Sequence, residues 1–538
     1  MKRKHVLQVF VLIIILLVTN FCRGGSETKY IFLITLDTTR ADHINYSLTD
    51  NELTPNLAKL ASDGIYYKNA FSLIPITLPS HANMFYSLPP HKLKVFNNGE
   101  IVNVEHRNIA QLLKDDGFST KAVISLGVLQ SEFGLNKGFD QVSENFSEGF
   151  FYKDASAVNQ EVFKLLRQKR DKKEFFWIHY SDPHSPYFPP HYKGGEFKVF
   201  FKKDLIGHCE STDYKKIDLE LDLDPGENSL LFRSKRPKIF NNNKSVRIYT
   251  VSFIDFKVQS ESSNDKYEII FPDDWNIHKE KNEVIVGMPK RRGKIKIVNK
   301  GENIIKMDIS FIHRMIETIP SSRFLYNESV KFLDEQIGKL FDHLKRGGIY
   351  KNSVFLIAGD HGEGLGEFNK AVGHVDYLNG LFTRIPFIIS GNGVDSTGEI
   401  SIPVTTLEIA PTLLGFAGIK KPGQMIGENI FNLQKKKNIF LETYSPEAYH
   451  DGFSIIDYPY QLIYYPDREQ EKIEFYDMED DKNGIKSRKT EKIYTVIIQG
   501  LKKKLLKFIQ FRRGLNRQDS GKNLSDDQKD MLKSLGYL

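Results

Sequence analysis

Four side chains in this sequence are of types that hold cations and activate hydroxyls: Asp37, Thr77, Asp360 and His361. Asp37 closes the apolar run Tyr30-Ile31-Phe32-Leu33-Ile34-Thr35-Leu36, and Asp360 with His361 closes a second, Val354-Phe355-Leu356-Ile357-Ala358-Gly359. Thr77 opens Thr77-Leu78-Pro79-Ser80-His81 between them. Runs that are apolar throughout fit strands covered on both faces, and two such strands suggest neighbours in one parallel sheet. In open α/β sheets, ligands bind beyond the carboxyl ends of the strands. Two carboxylates and an imidazole converging there make a site for a hard-to-borderline cation. A hydroxyl at that site can be ionised by the cation and act as a nucleophile. The plainer readings are strand-end polar residues for Asp37, Asp360 and His361, and a helix N-cap for Thr77, because Leu78-Pro79-Ser80 resembles a helix start.

The elements that must position these residues alternate along the chain. Residues 26–194 alternate short apolar runs with helical patterns. Thr54-Pro55-Asn56-Leu57 predicts a helix with Thr54 as N-cap and Pro55 at its first position. Ile109 to Lys114 predicts another, while Lys121-Ala122-Val123-Ile124 and Phe175-Phe176-Trp177-Ile178 predict buried strands. This alternation argues for a mainly parallel α/β sheet flanked by helices. Residues 195–318 change texture, with alternating runs such as Ile217-Asp218-Leu219-Glu220-Leu221-Asp222-Leu223 that predict a β-sandwich-like insertion. Residues 319–440 return to the first pattern, and Val330, Leu333, Ile337, Leu340 and Leu344 share one helical face. Residues 441–538 predict a small α+β part with a strand at Tyr460-Gln461-Leu462-Ile463-Tyr464. It ends in a basic stretch, Gln499 to Arg513, that either adheres to an acidic membrane surface or packs Leu501, Leu505, Phe508 and Ile509 on the body. The second reading is preferred.

With 538 residues and 40% hydrophobic content, the chain is long enough for a large domain with additions and too apolar for disorder. A net charge of +7 is mild; it suits anionic substrates or headgroups, and no nucleic-acid motif accompanies it. Residues 1–25 read as a targeting segment. Lys2, Arg3, Lys4 and His5 precede an apolar run from Val6 to Val18 of about 13 residues, short of the roughly 17–25 of a spanning helix. Cys22 follows, as in a lipoprotein signal, with an uncleaved anchor as the alternative. Either predicts an exported, membrane-associated protein of a bacterial envelope. The 2 cysteines, Cys22 and Cys209, give no disulfide framework.

The motifs together resemble the sulfatase-like branch of the alkaline phosphatase superfamily. They are Leu36-Asp37-Thr38-Thr39-Arg40-Ala41-Asp42, Thr54-Pro55-Asn56-Leu57, Thr77-Leu78-Pro79-Ser80-His81, Asp182-Pro183-His184-Ser185-Pro186-Tyr187, Gly359-Asp360-His361-Gly362-Glu363-Gly364 and Leu532-Lys533-Ser534-Leu535-Gly536-Tyr537. The resemblance spans nearly the whole chain outside the β-rich segment, and it implies an alkaline phosphatase/sulfatase-like fold. It places Asp37, Asp360 and His361 at the family's metal-ligand positions, with Thr77 as nucleophile and further ligand. It implies one divalent ion. Zinc or manganese is favoured and calcium is compatible; a second ion on Asp182, His184 and His374 is disfavoured. By the same resemblance His184 contacts the transferred group or protonates the leaving oxygen, and His374 binds substrate. His81 orients Thr77, touches the anion or makes a structural hydrogen bond. Asp182 assists or caps a turn, and Arg40 supports the site through a buried ion pair. Glu363 and Glu367 read as loop carboxylates.

Sulfatases carry Cys or Ser where this chain has Thr77, and convert it to formylglycine. Threonine cannot supply that aldehyde. Thr38 replaces a second ligand Asp, and Ser125-Leu126-Gly127-Val128 replaces a Gly-Lys-Trp-His segment. The departures point to an exported hydrolase of phosphate-type or sulfate esters that works through a covalent Thr77 adduct. One alternative is an envelope phosphoethanolamine- or phosphoglycerol-type transferase, though such enzymes usually carry several membrane helices. The other is an inactive protein that binds envelope glycan or lipid.

Overall fold

The computed structural model describes residues 28–513 except 147–151, 169–171, 193–194, 211–214, 237, 242–243, 248, 281–282, 289, 318, 369–371, 434–437, 445–450 and 469–471. The leader with Cys22 and the Leu532–Tyr537 motif lie outside the described residues.

An eight-stranded sheet forms the middle layer. Its strands are β1 (Tyr30–Leu36), β2 (Gly64–Tyr67), β3 (Ser119–Val123), β4 (Gln141–Ser143), β5 (Glu174–Tyr180), β6 (Ser353–Gly359), β7 (Phe387–Gly391) and β8 (Gly398–Ile400). Their spatial order is β8-β2-β7-β6-β1-β5-β3-β4. β1 is central and parallel to both β5 and β6. β7 alone runs antiparallel to its neighbours. The sheet is therefore mainly parallel, as the unbroken apolar runs predict.

Alternate residues of each central strand feed opposite cores. Phe32, Ile34 and Leu36 pack with Phe176, Ile178, Phe355 and Ile357 on one face. Ile31 and Leu33 pack with Phe175, Trp177, Val354 and Leu356 on the other. Helices α1 (Pro55–Ser62), α3 (Ala155–Leu166) and α4 (Ile319–Arg346) supply Leu57, Leu60, Val158, Val162, Leu333 and Ile337 to the first face. Helix α2 (Thr77–Tyr86), with Ile109–Asp115 and Ile409–Phe416, covers the second through Leu78, Phe85, Leu113 and Leu413.

The start of α1 departs from its expected cap. Pro55 opens the helix, but Thr54 makes no side-chain cap bond. Its hydroxyl is engaged with Asn45, whose amide donates to it at 2.9 Å. Asp334 of α4 takes the capping role instead, accepting from the Asn56 and Leu57 amides at 2.9 and 2.8 Å. A carboxylate offers two full acceptors to a helix N-terminus where a hydroxyl offers one, so the remote residue wins.

Between β5 and α4 the chain forms two five-stranded antiparallel sheets and a hairpin, Lys238–Asn241 with Lys244–Arg247. Phe197, Phe232, Phe253, Trp275 and Phe311 form the buried layer of this segment. Gly293 is required there, since a Cβ would sit 1.9 Å from the Trp275 ring. The C-terminal part is a four-stranded antiparallel sheet, Ile439–Tyr444, Asp451–Asp457, Tyr460–Tyr464 and Ile473–Asp477. Helix α5 (Thr495–Arg513) buries Leu501, Leu505 and Ile509 in a shared core with Phe453, Leu462 and Phe475. Phe508 stacks on Phe440 at 4.4 Å. The body-packing reading of this basic helix therefore holds. Among the described residues no helix is long and apolar enough to cross a membrane.

Candidate active site

The register of the sheet creates the site. Leu36 lies opposite Tyr180 of β5 and Gly359 of β6. Asp37 and Asp360 therefore leave the same sheet edge side by side, with His361 next in line. Ligand atoms of Asp37, Asp360 and His361 lie within 4.8 Å of one another, and among the described residues no second acid or imidazole group gathers this closely.

Each of the three is oriented by a partner that leaves one atom directed inward. The Thr38 and His361 amides donate to Asp360 Oδ1 at 3.0 and 2.7 Å. Asp360 Oδ2 has no hydrogen-bond partner. His361 Nδ1 donates to the Gly362 carbonyl at 3.0 Å. This fixes the tautomer that keeps a lone pair on Nε2, 3.4 Å from Asp360 Oδ2. Asp37 Oδ2 lies 3.2 Å from His179 Nε2, and Asp37 Oδ1 is without a partner. His179 Nδ1 accepts from the Ser125 amide at 3.3 Å, so Nε2 carries the proton given to Asp37. Orphaned buried carboxylate oxygens are costly, and two of them beside the His361 Nε2 lone pair fit a divalent cation. Oxygen and nitrogen donors together suit zinc or manganese.

Thr77 is the first residue of α2, and the N-cap position belongs to Ile76, which makes no side-chain cap bond. The Thr77 hydroxyl instead lies 3.3 Å from His361 Nε2. The Leu78 amide donates to Asn98 Oδ1 at 2.8 Å, so that helix-start donor is already committed and does not serve an incoming anion. Ser80 Oγ donates to the Asp360 carbonyl at 2.8 Å and ties α2 to the end of β6. His81 Nδ1 donates to the Thr77 carbonyl at 2.8 Å, and its Nε2 is buried without a partner. Its ring meets the His179 ring edge-on, centroids 5.0 Å apart.

His184 and His374 complete a cluster of imidazoles. Their ring centroids are 5.4 Å apart, and the His374 and His361 rings are 4.3 Å apart. His184 Nδ1 donates to the Ser185 carbonyl at 2.5 Å. Asp182 accepts from the Ala155 amide at 3.1 Å and the Tyr152 hydroxyl at 3.4 Å, beside the start of α3, whose N-cap is Asp154. Arg40 is buried and paired with Asp42 at 2.7 Å and Glu367 at 2.5 Å, two carboxylates that are themselves partly exposed. This arrangement commits its guanidinium to carboxylates of the protein.

One residue at the site was not singled out in the sequence, and a second was given a different role. His179 holds Asp37. Glu363, read as a loop carboxylate, is buried with neither oxygen hydrogen-bonded, and it stands 3.5 Å from His374 Nδ1.

The electrostatics follow from burial. Asp360 is pushed well above the carboxylate range by desolvation and by the neighbouring Asp37 charge. Burial also pushes Asp37 upward, but the His179 hydrogen bond and the surrounding imidazoles outweigh it and hold Asp37 low. One carboxylate of the pair is thus poised to bind a proton or a cation. Burial lowers His361, and it lowers His81 to about 3, with His179 adding to that effect. These imidazoles are neutral near pH 7, the state in which a ring nitrogen ligates a metal.

A model of the sulfatase family matches residues 29–419, and a model of the N-sulphoglucosamine sulphohydrolase C-terminal region matches residues 377–510. An arylsulfatase from Clostridium perfringens is 23% identical over 509 residues, covering 90% of this chain and 94% of its own. An N-acetylglucosamine-6-O-sulfatase from Bacteroides thetaiotaomicron is 23% identical over 408 residues, covering 70% and 65%. A sulfatase from Formosa agariphila is 28% identical over 159 residues, covering 29% of this chain and only 30% of that relative. A solved structure in complex with its substrate D-glucosamine-2-N,6-O-disulfate superposes with a TM-score of 0.59 at 16% identity, covering 93% of this chain and 100% of that one.

Proposed function

Because the chain belongs to the sulfatase family, we propose that it is a metal-dependent ester hydrolase that attacks a sulfate or phosphate-type ester with the Thr77 hydroxyl. The observation that carries this reading is the placement of Thr77 Oγ1 3.3 Å from His361 Nε2, beside the two orphaned carboxylate oxygens. A divalent cation held by Asp37, Asp360 and His361, with Thr77 as a further ligand, would supply Lewis acidity to ionise the threonine hydroxyl and to neutralise ester oxygens.

The chain's own groups account for the remaining roles. Thr77 Oγ forms a bond to the central sulfur or phosphorus as the bond to the leaving oxygen breaks. His184 and His374 face the reacting group and carry its proton traffic. Burial lowers His184, while the Asp37 charge raises it. Burial wins on balance and holds His184 below its ordinary range, so a bound anionic ester is what would favour the imidazolium; His184 then protonates the leaving oxygen and, neutral again, takes a proton from the water that releases the Thr77 adduct. Glu363 stands beside His374, its buried carboxylate 3.5 Å from Nδ1.

Two central atoms are in play. The names of the relatives support a sulfate ester, with sugar sulfates as the class. Thr77 supports a phosphate-type ester. Its β-carbon bears a methyl group, so oxidation cannot produce an aldehyde there, and a sulfated threonine must be released by attack on sulfur rather than by expulsion from a hydrated aldehyde. Residues 1–25 support export to a bacterial envelope with membrane attachment at the N-terminus, where envelope glycans and lipids are the available esters.

The test compares wild type with Thr77→Ala on an aryl sulfate, aryl phosphate mono- and diesters and a glucosamine sulfate, each with zinc, manganese or calcium. Turnover lost in Thr77→Ala with metal binding intact is the expected result. Turnover that survives the substitution removes Thr77 as nucleophile. Activity confined to sulfate esters selects the first central atom, and activity confined to phosphorus esters selects the second.

A further inference from the structure

We propose that Tyr326 is a positioning residue that sets the geometry of the cation site from a different layer of the fold, an inference that rests on the metal-site reading above. Tyr326 lies on α4, which follows the last strand of the β-rich segment, Ile305–Glu317, and its side chain is fully buried. Its hydroxyl donates to the Thr38 carbonyl at 2.7 Å and accepts from the Arg40 amide at 2.8 Å. One oxygen thus bridges the backbone on both sides of Thr39. The turn it grips is strained, because Thr38 has a φ of 51°, a region that a β-branched residue rarely enters. That conformation aims the Thr38 amide at Asp360 Oδ1, 3.0 Å away. Occupying Oδ1 is what leaves Oδ2 for the cation.

The ring is itself fixed. The His43 ring meets it edge-on at 4.9 Å and the Tyr187 ring at 5.5 Å. Removing the hydroxyl therefore leaves the ring in place and releases only the turn. The freed Thr38 relaxes toward negative φ, its amide swings off Asp360, and Asp360 Oδ1 is left with the His361 amide alone, one of its two orienting donors. Partners bonded directly to ligands typically change metal affinity by about 10–100-fold, and Tyr326 acts on such a partner, the Thr38 amide, from one bond further out.

The experiment uses full-length metal-stripped protein and titrates Mn²⁺ by calorimetry. Tyr326→Phe is expected to weaken Mn²⁺ binding by about 10–100-fold and to lower kcat while KM for the ester stays within about twofold, with the metal-free melting temperature nearly unchanged. Glycine adopts positive φ without strain, so Thr38→Gly in the Tyr326→Phe background is expected to restore much of the affinity. Wild-type Mn²⁺ affinity in Tyr326→Phe overturns the clamp. So does a double variant that binds no better than Tyr326→Phe alone, since strain in the turn would then not be what the hydroxyl opposes. Asp360→Asn separates the two levels. If it binds Mn²⁺ as wild type does, the metal site itself is wrong; if it loses Mn²⁺ while Tyr326→Phe does not, only the clamp falls.

Discussion

Asp360→Asn is expected to stabilise the metal-free protein while abolishing its response to metal. Asp37 and Asp360 are both fully buried, and their ligand oxygens lie within 4.8 Å. Two full charges at 4.8 Å repel by about 3.5 kcal/mol at an effective dielectric of about 20. Hydrogen bonds already soften the pair: His179 donates to Asp37, and the Thr38 and His361 amides donate to Asp360. A net strain of about 1–3 kcal/mol remains for the substitution to release. Asparagine keeps the carbonyl oxygen that accepts those two amides, and its NH₂ places a donor toward the orphaned Asp37 Oδ1.

The pH dependence has a definite sign. Asp360 is raised above its ordinary 3.8 by burial and by Asp37. Between 3.8 and the raised value the native state holds a proton that the unfolded state has lost. The Asp360 contribution therefore favours the fold at low pH and is lost as pH rises through that window. Asp360→Asn removes this slope. The assay is calorimetric melting of chelator-treated wild type and variant at pH 5 and pH 7.5, with and without Mn²⁺. Wild type should gain about 2.7 kcal/mol when the metal is at a hundred times its Kd, and the variant nearly nothing. The reasoning is refuted if the metal-free variant melts below metal-free wild type at pH 7.5, or if Mn²⁺ stabilises both equally.

Three further outcomes follow from the same geometry. Asp334→Ala leaves the Asn56 and Leu57 amides of α1 without acceptors and should lower urea stability by about 2–4 kcal/mol, with turnover per folded molecule unchanged. His179→Leu withdraws the donor fixed by Ser125 on the far side of the ring, and should weaken metal binding by about 10–100-fold as measured by equilibrium dialysis. His81 is held neutral down to about pH 3 against an ordinary 6.5. The unfolded chain therefore binds the extra proton in that window, and stability falls as pH drops from 6.5 toward 3. Urea titrations across pH 4–7 should show a shallower acid slope for His81→Asn, and an unchanged slope would contradict this assignment.

What could be read from the sequence and what could not divides along a physical line. Asp37, Asp360 and His361 were legible because a strand buried on both faces has no other use for acids at its end, and parallel register brings strand ends together without further information. The same parity also pointed to His179. Trp177 and His179 share one face of β5, and His179 pairs with Thr35, two residues before Asp37; a histidine following Phe, Phe, Trp and Ile in a fully buried strand must be satisfied on that face. That signal was present and went unused. Asp334 and Tyr326 carried no such signal. Each acts on a loop or helix start nearly three hundred positions away, through a contact that no local spacing encodes, and helix periodicity assigns them only to a helix face. Thr54 shows the converse error, in which a correct local rule was overridden by a better acceptor from a distant element. The candidate ligands sit where local secondary structure ends, so motifs expose them. The residues that hold ligands in register come from the opposing layer, and only packing reveals them. Variants in the second group are thus the sharper test of the site, since they change the cation's surroundings while leaving every motif residue in place.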